Sequence, residues 1–145
     1  MNAYSNHYQN NQILTASSEQ ILIMLYDGAI RFVKGARLAI EEGRMADKAR
    51  FISKAVAIIT EFSNTLDHEI GGELAQDLSR LYDFMVRELA VVNAQSNAGR
   101  LDAVEKILLE LREGFVEAAE INRKGVQSQL NQQTEVSEKR VAVSF

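Results

Sequence analysis

A chain of 145 residues, 46% apolar and 25% charged, is long enough for one domain with a proper core and has the make-up of a globular protein. Its net charge of −4, with no clustered Lys/Arg stripe, speaks against nucleic-acid binding. The absence of cysteine excludes disulfides and thiolate metal sites. No apolar run approaches the roughly 20 residues needed to cross a bilayer, so stable membrane insertion is not expected. The polar start MNAYSNHYQNNQ lacks the basic residues and apolar run of a signal peptide, so the cytoplasm (cytosol) is the expected compartment.

Proline is absent too, which favours helices in a chain rich in Ala, Leu, Glu and Arg. Residues 1–16 are rich in Asn and Gln, lack a sustained period and read as a mobile arm. Ser17 is placed to cap a first helix, with Gln20 as its capping-box partner. That helix runs to about Glu42 with a core stripe of Ile21, Leu25, Gly28, Phe32, Ala36 and Ala39, and Gly43 ends it. A second helix spans about 47–68, with Phe51, Ala55, Ile58, Ile59, Phe62 and Leu66 inward. Gly71-Gly72 breaks the chain. A third helix covers about 73–97, with Leu74, Leu78, Leu81, Met85, Leu89 and Val92 on one side, until Gly99 stops it. The fourth starts near Leu101, carries Val104, Leu108, Leu111, Phe115 and Ala119, and fades near 123–125.

The predicted fold is therefore all-α: an antiparallel up-down-up-down four-helix bundle over 17–125, between a flexible N-terminal arm (1–16) and a C-terminal tail (126–145). The tail is polar until VAVSF at its end, a candidate docking strand.

The frame L-Y-D-x-x-x-R occurs twice, as LYDGAIR at 25–31 and LYDFMVR at 81–87. Helical geometry predicts that Leu faces the core, Tyr flanks it, and Asp and Arg form exposed pairs, Asp27–Arg31 and Asp83–Arg87, each worth a few tenths of a kcal/mol. The first and third helices would run parallel, consistent with an old duplicated hairpin.

Chemistry is sparse. A di-iron bundle needs Glu-x-x-His on facing helices, and neither His7 nor His68 has that Glu. A histidine phosphotransfer domain needs an exposed mid-helix His; His7 lies in the arm, and His68 sits at a helix end beside Glu69, which would repel a phosphate. No nucleophile elbow, Ser–His pairing or phosphate-binding loop is present. The residues thus give no support for an enzyme, a metal or a cofactor.

What remains is apolar surface beyond the three positions in seven that a bundle helix needs. The run ILIMLY at 21–26 is apolar nearly all round. Leu22, Ile30, Val33, Ile52, Val56, Tyr82, Phe84, Val86, Val91, Ile107, Leu109 and Val116 add to the core stripes. Either the interior is plumper than ideal or part of this surface awaits a partner. Periodicity leaves both open. Tyr and Met among these residues suit a groove for a partner helix, which also fits a generic protein–protein adaptor.

QILTASSEQILIMLYDGAIRFVKGA, GGELAQDLSRLYDFMVREL and the order of elements resemble the flagellar secretion chaperone FliS family over about residues 8–122. Ser18 stands where that family commonly has Pro, and the tail after Gly125 is longer than expected. The resemblance implies a four-helical cytoplasmic chaperone that holds the C-terminal segment of flagellin unassembled and helps deliver it to a component of the flagellar export gate. On that reading the expected partner-binding residues are Tyr8, Ile13 and Leu14 from the arm, with Tyr8 (or Tyr4) as a plug over the groove. From the second and third helices they are Val56, Ile59, Leu78, Leu81, Tyr82, Met85 and Leu89. Without client, spare groove surface would allow a homodimer.

Overall fold

The computed structural model describes residues 17–144, with side chains through Arg140. Four helices follow one another: α1 (Ser18–Glu41), α2 (Met45–Asn64), α3 (His68–Gln95) and α4 (Leu101–Ser144), with a 3-10 turn at Ala98–Arg100 before α4. Short connections make sequential helices antiparallel neighbours, the predicted up-down-up-down bundle. The chain divides into two units, one ending at Arg112 and one from Glu113 onward.

In the first unit each helix turns one stripe inward. Tyr26, Ala29, Val33, Ala36 and Ala39 of α1 meet Ile52, Ala55, Ile59 and Phe62 of α2. Leu78, Tyr82, Met85, Leu89 and Val92 of α3 and Leu101, Val104 and Leu108 of α4 complete the core. The three-and-four spacing of these positions is what places them on one face. Small residues on α1 allow close approach. A Cβ on Gly35 would stand 3.2 Å from the Phe51 ring, so glycine lets the two helices meet there.

The predicted capping box forms at the start of α1. Ser17 Oγ accepts from the Gln20 amide at 3.2 Å, and the Gln20 side chain accepts from the Ser17 amide at 3.0 Å. At the other end of the hairpin α2 begins at Met45, ahead of the predicted Asp47. It ends at Asn64, short of His68, because the Asp67 side chain accepts the amides of Glu69 and Ile70 and opens α3 there. Gly72 is the break the sequence signals: at φ 51°, ψ −124° it interrupts α3 in a region open to glycine. Beyond the kink the inward stripe steps back from Leu78 by three residues rather than by four. Leu74, expected inside, is 66% exposed, and Ala75 takes the inward position. α3 ends at Gln95 with Ser96 in the left-handed conformation (φ 55°) as its cap, three residues before the predicted stop at Gly99.

The repeated frame packs differently from its local prediction. Tyr26 and Tyr82, 56 positions apart, do not flank the core but lie inside it, with their hydroxyls hydrogen-bonded at 2.7 Å. Phe62 stacks on Tyr26 with centroids 4.2 Å apart and tilts against Tyr82 at 5.7 Å. The two leucines, Leu25 and Leu81, are half-buried. Ile30, Val33 and Ile52, counted in the sequence as surplus, are core as well. Neither intrahelical ion pair forms: Asp27 turns across to Arg112 of α4, and no ion pair among the described residues joins Asp83 to Arg87. Other cross-links tie α4 and the 3-10 turn before it to the bundle. Arg37 donates to Asp102 at 2.7 Å and Glu105 at 2.8 Å, and Arg100 donates to Glu88 at 3.1 Å.

The second unit is the remainder of α4. The expected fade at 123–125 and the terminal strand do not occur; the helix continues to Ser144. One glycine costs a helix about 1 kcal/mol, which Gly125 imposes without ending it, and no proline follows. Ile121, Val126, Leu130 and Val136 of this unit are each at least half exposed.

Candidate functional site

Between α2 and α3 lies a groove of about 420 Å³. Its apolar lining is Ile59 from α2 and Tyr82 and Val86 from α3. Its polar lining is Thr60, Ser63 and Asn64 on one side and Arg80, Asp83 and Arg87 on the other. The spacing explains the construction. Positions 82 and 86 are one turn apart and share a direction, while 83 and 87 are one residue further round and stand outside them. An apolar strip flanked by a polar margin on both helices is the cross-section that an amphipathic segment complements.

The strip is held from beneath. Tyr82 is 2% exposed, fixed by the Tyr26 hydroxyl and the Phe62 ring. Burial pushes both phenols above their ordinary pKa, and their mutual hydrogen bond raises that of Tyr26 further, so both remain neutral hydroxyls. Across the bundle, burial opposes the Arg37 charge, but hydrogen bonds to Asp102 and Glu105 outweigh it and raise its pKa. Arg44, held by Asp47 and Glu42 in the α1–α2 turn, is raised as well.

Of the residues expected to touch a partner, Ile59 and Tyr82 line this groove. Leu78, Met85 and Leu89 lie in the bundle core, and Ile59 itself is fully covered by its neighbours. Val56 and Leu81 are half-buried. Tyr8, Ile13 and Leu14, and the alternative plug Tyr4, lie outside the described residues. Sequence reasoning missed the polar margin of Thr60, Ser63, Asn64, Arg80, Asp83 and Arg87. A search for surplus apolar residues selects the largest stripes, and the largest stripes are core. The available signal was Val86, already counted as surplus, one turn from Tyr82.

Among the described residues no group of His, Cys, Asp or Glu is placed to hold a metal ion. His68 is exposed at the first residue of α3 with Glu69 beside it. No helix among the described residues is long and apolar enough to cross a membrane.

The family model for "Flagellar protein FliS" matches residues 1–122. The chain belongs to the FliS family. A flagellar secretion chaperone FliS of Salmonella typhimurium is 37% identical over 114 residues, covering 78% of this chain and 84% of its own. FliS of Campylobacter jejuni is 35% identical, covering 77% and 88%, and FliS of Bacillus subtilis is 34% identical, covering 81% and 86%. A solved structure described as a flagellar chaperone from bacteria superposes with a TM-score of 0.68 at 20% identity, over 80% of this chain and 97% of that one. That likeness shows the helical-bundle fold.

Proposed function

We propose that this FliS-family bundle is a cytoplasmic export chaperone for flagellin. It binds the C-terminal segment of flagellin, keeps it from polymerising and passes it to the flagellar export apparatus. The observation that carries the reading is the α2–α3 groove in a chain of this family, with half-buried Val86 at its surface and the sealed Ile59 and Tyr82 forming its floor. A disordered segment with amphipathic stretches buries its apolar faces there and is withheld from its own assembly. At about 25 cal/mol per Å² the gross gain from such burial is large, but ordering the segment offsets much of it. The net is binding firm enough to protect and weak enough to release. Tyr8, Ile13 and Leu14 of the arm add contacts on the same reading, with Tyr8 covering part of the groove when no client is bound.

Isothermal titration of the full chain with a flagellin C-terminal segment tests this. The expected result is saturable binding near one to one that buries apolar surface, seen as a negative heat-capacity change. Absence of binding, with flagellin also missing from complexes recovered from flagellated cells, would reject the proposal. The same titration on a chain lacking residues 1–16 is expected to show altered affinity.

A further inference from the structure

The two copies of L-Y-D-x-x-x-R have the same chemistry and different employment. In the first copy, Asp27 is bonded to Arg112. In the second, Asp83 and Arg87 sit one turn apart on the exposed margin of the α2–α3 groove. Their i, i+4 spacing would let them pair with each other. Instead no hydrogen bond or ion pair among the described residues engages either one. The third charge on that margin, Arg80, donates to Asp77 at 3.1 Å. Beside the bonded Arg80, the α3 margin of the groove thus carries one acid and one base without a bond among the described residues, about 6 Å apart along the helix axis.

We infer that Asp83 and Arg87 read the charge pattern of the segment bound in this groove. The segment it selects is an amphipathic helix. Its apolar side chains lie against Val86, above the buried Tyr82, and one edge carries an acidic group to meet Arg87 and, a turn away, a basic or amide group to meet Asp83. This rests on the proposed function and specifies the chemistry of its client. Charges at the margin of an interface contribute little to raw affinity but set register, direction and the speed of encounter. A helix laid in the opposite direction would bring acid to acid and base to base. The pair therefore favours one orientation of a helix that the apolar strip alone would accept either way round.

The test is titration of the full chain with a flagellin C-terminal segment at about 50 and about 500 mM salt, where screening runs from weak to nearly complete. The unmodified chain should bind and weaken as salt rises. The Asp83→Asn/Arg87→Gln variant should bind about 3- to 10-fold more weakly at low salt and lose most of its salt dependence. The charge-swapped Asp83→Arg/Arg87→Asp variant should lose more still, and recover when the facing charges of the segment are exchanged. Both positions are exposed, so helicity by circular dichroism should be unchanged in every variant. If the neutral variant keeps the affinity and salt dependence of the unmodified chain, the inference fails while the proposed function stands. If the unmodified chain does not bind at all, both fail.

Discussion

Lys48 ties the first hairpin to the far end of α3: its ammonium donates to the main-chain oxygen of Asn93 at 2.9 Å and to the Ser96 hydroxyl at 2.8 Å. At 7% exposure it is a buried charge on the negative end of a helix, where a cation satisfies carbonyls that lack helical partners. Lys48→Met keeps the apolar stem and removes the donor. It should cost about 1–3 kcal/mol in chemical denaturation, whereas exposed Lys106→Met should stay within about 0.5 kcal/mol. Equal, small effects for the two would show that the Lys48 contact contributes nothing.

The Tyr26–Tyr82 hydrogen bond predicts a coupled pair. Tyr26→Phe and Tyr82→Phe should each cost about 1 kcal/mol. The double variant should cost much less than the sum, because both single changes break the same bond. Strict additivity in the double-mutant cycle would mean the two hydroxyls do not depend on each other.

Those phenols also set an alkaline limit. Burial, chiefly, raises both above the ordinary value of 10.0. Unfolded tyrosines lose their protons near pH 10 while the folded pair keeps them, so the folded state binds more protons above that point. Their contribution is complete below pH 10 and is lost as pH rises toward the folded values, at up to ~1.4 kcal/mol per pH unit for each phenol. The unmodified chain should therefore lose stability faster between pH 10 and 12 than the Tyr26→Phe/Tyr82→Phe variant. Parallel curves would contradict this.

Buried and half-buried positions respond differently to substitution. Tyr82→Ala empties a site in the interior and should cost about 3–5 kcal/mol of stability, so any loss of binding it causes is ambiguous. Val56 is half-buried, and Val56→Glu should leave thermal unfolding within about 1 kcal/mol of the unmodified chain while weakening flagellin binding. Unchanged affinity in calorimetry would remove Val56 from the binding surface.

The Asp27–Arg112 pair is a surface contact with side chains 37–39% exposed. Screening by solvent limits it, and Arg112→Ala should cost no more than about 1 kcal/mol, less at high salt. A larger, salt-independent loss would point to packing by the arginine stem.

Much of this protein was legible in its sequence because helices are local objects. The three-and-four spacing of apolar residues, the Ser17–Gln20 box and the break at Gly72 each depend on chain within one or two turns, and each appears where local physics puts it. Boundaries moved by a few residues where a competing cap, Asp67 or Ser96, won. What the tertiary structure decided is which side of each helix was spare. Leu78, Met85 and Leu89 fill the same stripe whether the interior is thick or thin, and only the packing of four helices makes them core. The same holds for the repeated frame. Its residues are identical in both copies, yet Asp27 found a base on α4, and Asp83, beside a groove, did not. Sequence spacing fixes which residues share a face; the partners brought opposite that face, from tens of residues away, determine what it does.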